Sequence, residues 1–273
     1  MEVVHPEFAP DASLSREEME TLQRDLADLA VFADDLPFDP GTVRATSADD
    51  AQTELGEASG DGSASEAAPV VAGVDQAFVD DRAVSAIVAL RDGEVVERVH
   101  AVAGTEIPYI PGLLSFREGT AILRAFEELS VDPDLALVDG SGRIHFREAG
   151  IATHVGVMLD LPTVGVAKNL LCGRLRDEPA GHMAAGERAP VVADGNVTAP
   201  DGTVIGYALQ SRQYDDPEKR HVNPLYVSPG HRVGAETAAD LAWQLSAGYK
   251  LPEPTRRADA YADEVKASVR SDG

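Results

Sequence analysis

The chain has 273 residues, is 44% hydrophobic and carries a formal net charge of −24 at pH 7. That length and apolar content suffice for one large core; no apolar run is long enough for a membrane-spanning helix, and the single cysteine, Cys172, excludes an intramolecular disulfide framework. The first residues, Met1-Glu2-Val3-Val4-His5, lack the basic and apolar regions of a signal peptide, so a cytoplasmic protein without membrane contact is expected.

The acidity at first opposes a nucleic-acid partner, because phosphate binding is largely a Lys/Arg effect. Its distribution weakens that objection: residues 1–68 hold 17 Asp/Glu against 3 Arg, and only four of the chain's 23 basic residues are lysines. An acid-rich, lysine-poor chain is expected of a protein that stays soluble in very high salt. There a Debye length of ~3 Å at 1 M also screens an acidic surface from phosphate.

In chain order, Leu14 to Ala30 has helical spacing, with Leu22, Leu26 and Leu29 on one stripe and Ser15 and Glu18 at capping-box separation. Pro37 and Pro40 end that segment, so residues 1–44 form an N-terminal helix and a connection. Residues 45–68, rich in Ala, Ser, Gly, Thr and acids, read as a flexible acidic insertion, and 69–273 as a single core. Val70 to Phe78, Val84 to Leu90 and Val95 to Val102 are predicted strands, with turns at Asp80-Asp81 and Asp92-Gly93. Pro108-Tyr109-Ile110-Pro111-Gly112 is a rigid loop, because two prolines fix φ and restrict their predecessors. A helix at Leu114 to Leu129, a strand at Leu135 to Val138, a helix at Glu148 to Leu159 and a strand at Thr163 to Ala167 follow. Strands at Val204 to Leu209 and Leu225 to Val227, then helices at Ala235 to Ala247 and Ala258 to Val269, complete the pass. Short-turn strands followed by strand–helix alternation predict an α/β fold, a mixed sheet with helices on its faces.

Three acids stand out. Asp75 interrupts an apolar strand, Asp139 ends one, and Glu118 lies near the start of a helix. Burying an isolated charge is costly unless something pairs with it, so converging carboxylates ask for a divalent metal. Each has an ordinary alternative: a surface turn for Asp75, an Asp-Gly turn for Asp139, a favourable helix-dipole position for Glu118. Lys168 ends the strand Val164-Gly165-Val166-Ala167 and either snorkels to solvent or faces a phosphate near the acids. His145 and His154 lack zinc-ligand spacing, and His231 in Ser228-Pro229-Gly230-His231 reads locally as a turn or capping residue. Tyr109, held between prolines, is suited to stacking on or wedging between bases.

As a set these segments resemble the endonuclease V family. The resemblance is carried by Val71-Ala72-Gly73-Val74-Asp75, by Ile107 through Glu118 with its Pro-Tyr-Ile-Pro-Gly loop, and by Val138-Asp139-Gly140. It extends through Gly150 to Gly156, Pro162 to Lys168, Val227 to His231 and Pro252 to Arg256. It implies a ribonuclease H-like fold and a DNA repair endonuclease, monomeric and Mg²⁺-dependent with Mn²⁺ as a substitute. Its partner would be DNA containing deoxyinosine, the product of adenine deamination, cut at the second phosphodiester bond 3′ to the lesion. Inosine-containing RNA is the alternative substrate, and a non-catalytic nucleic-acid-binding module the remote one. By the same resemblance Asp75, Asp139 and Glu118 are expected metal and catalytic acids, with Lys168 and His231 as further catalytic residues. Tyr109, Pro108, Ile110, Pro111, Gly112, Leu114 and His145 are the expected DNA-contacting residues. The chain departs from the family pattern at Asn169-Leu170, where Ser and a basic residue are expected, and in its acidic insertion.

Overall fold

Apolar, β-branched runs over Val70–Val79 (β1), Arg82–Arg91 (β2) and Glu94–Gly104 (β3) pair antiparallel through two-residue turns. At the second turn Asp92 (φ 51°) and Gly93 (φ 78°) both take the left-handed conformation that matches strand twist. The computed structural model describes residues 1–45 and 68–271. All but the two end residues of the 45–68 insertion lie outside them.

Helix α1 (Arg16–Leu29) precedes this hairpin pair and carries the expected Ser15–Glu18 capping box. After β3 come α2 (Leu114–Glu127), β4 (Leu135–Asp139), α3 (Ile151–Leu159) and β5 (Thr163–Ala167). Strand β4 runs parallel to both β1 and β5. Four antiparallel strands then extend the sheet: β6 (Arg174–Leu175), β7 (Arg188–Val192), β8 (Val204–Leu209) and β9 (Leu225–His231). Helices α4 (Ala235–Ser246) and α5 (Glu253–Ser271) end the chain. The result is one mixed sheet of order β3-β2-β1-β4-β5-β9-β8-β7-β6 with helices on both faces, the α/β arrangement expected.

Side-chain alternation assigns the faces. Ala72 and Val74 of β1 and Val138 of β4 pack with Ile122 and Phe126 of α2, Val155 and Met158 of α3, and Leu26 of α1. On the opposite face Leu135, Leu137, Val164 and Val166 pack with Leu241 and Leu245 of α4, while Ala77 and Val79 pack with Ala262 and Val265 of α5. Helix α5 lies so close to β1 that a Cβ at Gly73 would stand 2.0 Å from the Pro254 backbone, which only glycine permits.

The differences from expectation have local causes. Strands β6 and β7 escaped because β6 is two residues long and β7 contains Pro190, which removes a ladder donor. Strand β9 runs on through Ser228-Pro229-Gly230 to His231, a run that reads as a turn. Glu148 adopts φ 54° and lies outside α3, whose first residue is Ile151. Helix α5 starts at Glu253, five residues early, because Pro254 sits in the first turn, where its missing N–H costs nothing.

Candidate active site

The parallel register sets Val74 beside Val138 and thereby brings Asp75 of β1 next to Asp139 at the end of β4. Both face α5. Asp75 is buried at 6% exposure, and its carboxyl is held well above the ordinary carboxylate range, first by burial and then by a hydrogen bond with Asp139 and that group's charge. Lys168, directly after β5, places Nζ 3.1 Å from Asp139 Oδ2 and 3.8 Å from Asp259 Oδ1. Partial burial works against the ammonium charge, but Asp139 and then Asp75 and Asp259 outweigh it and raise the Lys168 pKa. Lys168 thus lies half-exposed between two carboxylates.

Asp259 is the acid that sequence reasoning missed. It sits inside α5 among polar residues, where nothing in the local pattern distinguishes it from a solvated helix face. The close seat of α5 on Gly73 is what brings it to Asp75 and Lys168.

Glu118 reaches the site from the other face of the sheet. It is buried at 5% exposure and lies beyond the first turn of α2, so the helix-dipole account does not apply. Burial raises its pKa to about 7; Arg117 pulls it down and Asp139 pushes it further up. Glu118 and Asp139 line one cavity of about 500 Å³, together with Tyr109, Pro111, Gly112, Leu114, His145 and Lys168. Asp75 and Asp139 thus touch, and Glu118, carried on the opposite face of the sheet, shares a cavity with Asp139 and feels its charge. Among the described residues no group of three or more His, Cys, Asp or Glu side chains is gathered as a ready metal cage.

The proline loop forms the cavity rim. Tyr109 is 61% exposed at its tip, and Pro108 and Pro111 are exposed beside it. Ile110 turns inward and packs against Met19 of α1, Leu113 and Phe116. Gly112 adopts φ +81°, and a Cβ there would meet the Phe146 ring at 3.0 Å. Its carbonyl accepts three N–H donors: Gln23 Nε2 at 3.0 Å, His145 Nε2 at 3.1 Å and Arg147 Nη2 at 3.0 Å. Gln23 Oε1 in turn accepts from Arg147 Nε at 2.7 Å.

His145 is one of these buttresses. It is 3% exposed, and burial, then Arg147, press its pKa down to about 3, so the ring is neutral. With Nε2–H donated to Gly112 and Nδ1 accepting from the Arg147 amide at 3.2 Å, both nitrogens are engaged within the protein. His145 thus lines the cavity while supporting the loop that forms its rim.

His231 lies apart from this cluster. It pairs with Thr163, at the start of β5, whereas Lys168 follows the end of that strand. Its Nε2 lies 3.2 Å from Asp160 Oδ1 and its Nδ1 accepts the Val31 amide at 3.3 Å. Because β9 is antiparallel to β5 and continues to residue 231, it carries this histidine away from the carboxylates. Its role is to tie the chain after α1 to the sheet.

Residues 57–260 match the model of the Endonuclease V family. An Endonuclease V from Haloarcula marismortui is 62% identical over 269 residues, covering 97% of this chain and 98% of that protein. The crystal structure of the Endonuclease V from Streptomyces avermitilis superposes with a TM-score of 0.72 at 32% identity, covering 94% of this chain and 95% of that one. A Ciona intestinalis Endonuclease V, in complex with a 24mer DNA containing an inosine followed by a ribo-adenosine, shares the fold with a TM-score of 0.68 at 20% identity. That alignment covers 93% of this chain and 98% of that one.

The fold and the relatives are those of a nuclease, an enzyme that hydrolyses phosphodiester bonds. The chain belongs to the endonuclease V family.

Proposed function

We propose that this chain is a divalent-metal-dependent DNA repair endonuclease that recognises deoxyinosine and hydrolyses the second phosphodiester bond 3′ to it. The observation that carries the reading is the juxtaposition of an exposed, rigidly mounted Tyr109 with a cavity whose far wall bears Asp139, Glu118 and Lys168. A displaced base needs a pocket, and about 500 Å³ lies within the roughly 300–1,000 Å³ range of small-molecule sites. The gap left in the stack needs a filler, and a fixed aromatic ring supplies one.

The residues suit Mg²⁺, with Mn²⁺ as a substitute. Asp75 and Asp139 are oxygen donors in contact, and burial has raised the pKa of one, so a hard cation has a proton to replace. Asp75 and Asp139 would hold the ion, with Glu118 and Asp259 at its flanks. When bound, such an ion polarises the phosphoryl group, activates water and stabilises the leaving oxygen. Lys168 orients Asp139 and adds positive charge where phosphate enters. The Gln23–His145–Arg147 clamp keeps the rim loop in a single conformation, which limits the ordering cost of binding.

The test is a cleavage assay on matched inosine-containing DNA and RNA strands in molar salt, with and without Mg²⁺, mapping the 3′ ends. Metal-dependent scission one nucleotide beyond the inosine's own 3′ linkage is expected in DNA. Preferential cutting of the RNA strand would replace the substrate, and no cutting of either would overturn the reading.

A further inference from the structure

The end of the sheet that carries Lys168 carries two further connections. Ala167 of β5 pairs with Tyr226, and Leu209 of β8 with Leu225, so β8 ends and β9 begins beside the strand from which Lys168 emerges. Arg188, at the start of β7, pairs with Leu209 in turn. The β6–β7 connection (176–187) and the β8–β9 connection (210–224) therefore leave the sheet on the catalytic side. At about 4.8 Å between strands, β7 lies about 14 Å from β5.

Two glutamines brace these connections into one surface. Gln210, 2% exposed, donates from Nε2 to the Arg212 carbonyl at 2.6 Å and the Val222 carbonyl at 2.8 Å, and its backbone N–H donates to Glu187 O at 2.9 Å. Gln213 Nε2 donates to Met183 O at 3.2 Å, while its Oε1 accepts the Tyr214 and Val222 amides at 3.1 and 3.0 Å. The His182 and His221 rings, one from each connection, stack with centroids 4.3 Å apart and planes 27° from parallel. Arg220 and Arg212 lie over the Tyr214 ring, 4.3 and 5.4 Å from its centre. Both histidines and both arginines are exposed, and neither arginine has a carboxylate within ion-pair distance among the described residues.

Charge alone does not single out this surface. Residues 210–224 hold three bases, Arg212, Lys219 and Arg220, against three acids, Asp215, Asp216 and Glu218, and Lys219 is paired with Asp216 at 2.6 Å. What distinguishes it is a set of flat rings and guanidinium planes fixed before any ligand arrives. Such faces stack on unpaired bases whatever their sequence, and arginine adds a planar donor fork for phosphate. A duplex keeps its bases stacked on one another and offers these rings none. Stacking also persists in molar salt, where a Debye length of ~3 Å removes most phosphate attraction.

We propose that His182, His221, Arg212 and Arg220, the arginines held by Tyr214, form a stacking platform for a single-stranded nucleic-acid segment flanking the cleaved bond. The inference rests on the nuclease reading of the carboxylate site and adds a positioning surface to it. About 14 Å corresponds to roughly four nucleotides at a 3.4 Å rise, so the platform takes bases beyond those held in the site.

Steady-state cleavage in molar salt compares two inosine-containing single strands, one reaching about twelve nucleotides to either side of the inosine and one about three. The variants are His182→Ala/His221→Ala and Arg212→Ala/Arg220→Ala. Their side chains are exposed, so both should melt with the parent. The parent's KM should be at least about fivefold lower on the long strand, the scale of one stacked base. Each variant should lose most of that advantage through KM and keep its kcat on the long strand. Equal parental KM on both lengths, or variants that retain the whole advantage, would overturn the proposal. So would a rise in KM that is the same on both lengths, or an advantage seen only after annealing a complement. Fluorescence anisotropy with an oligothymidine of about 25 nucleotides repeats the comparison without inosine, and both variants should bind it at least about fivefold more weakly than the parent. That binding difference without cleavage of either inosine strand takes down the inosine reading alone, whereas cleavage without a length advantage takes down this inference alone.

Discussion

Lys168 Nζ lies 3.1 Å from Asp139 Oδ2, bridging the ends of two parallel strands, and the same ammonium stands 3.8 Å from Asp259 on a helix 91 residues further along the chain. One cation thus gathers acids from β4 and α5 around Asp75. It is 46% exposed, so its worth lies in placing charge rather than in stability.

Asp75→Asn and Asp139→Asn should each reduce Mg²⁺-supported cleavage by at least about 10²-fold, the scale of losing one principal electrostatic group in an active site. The fold should persist, because an amide replaces a carboxyl of the same size. Circular dichroism and single-turnover rates decide the matter, and near-normal rates in either variant would remove these residues from the chemistry.

Tyr109→Ala should weaken binding and discrimination more than turnover. Base stacking on an aromatic ring is worth about 1–3 kcal/mol. At 61% exposure the ring contributes little to the core, so unfolding free energy should move by less than about 0.5 kcal/mol. A comparison of inosine and undamaged strands by KM and kcat would show this split.

The metal-free protein should lose stability as pH rises. Glu118, raised to about 7, and Asp75, raised further, hold protons in the folded state that the unfolded chain has already released. Stability from these groups is complete below their unfolded pKa values near 4 and is lost as pH rises through the folded values. A bound divalent ion replaces the proton, so the Mg²⁺-induced rise in melting temperature should be larger at pH 9 than at pH 6. Equal shifts at both pH values would contradict the carboxylate site.

Acid acts through different groups. Burial lowers His145 to about 3 and His154 to about 4, and both form hydrogen bonds as neutral rings, His154 Nε2–H donating to Phe8 O at 2.7 Å. Their contribution is complete above the unfolded histidine value of ~6.5 and is lost as pH falls towards the folded values. His154→Gln should flatten this acid limb in a series of melts from pH 7 to pH 4.

Stability and cleavage should both rise towards molar salt. The net charge of −24 repels itself and phosphate at low ionic strength, and a Debye length of ~3 Å at 1 M removes both penalties. An optimum below about 0.2 M salt would refute the solvent explanation of the acidity.

Much of the architecture was legible because burial writes itself into local pattern. The apolar run before Asp75, the capping box at Ser15 and the Asp92-Gly93 turn each state their structure within a few residues. Strand β9 was truncated on reading because Ser-Pro-Gly imitates a turn, while His231 was named as a site residue by the family resemblance alone.

Asp75, Asp139, Glu118, Lys168 and the proline loop were therefore nameable from sequence, since each is a charge or a rigid element where the local pattern asks for something else. Which of them meet was decided only by tertiary structure. The parallel β1–β4 register joins Asp75 to Asp139, the tight seat of α5 on Gly73 adds Asp259, and antiparallel β9 takes His231 to the opposite end of β5 from Lys168. The physical reason is that strand direction and helix approach are set by long-range pairing and packing, which no window of neighbouring residues contains.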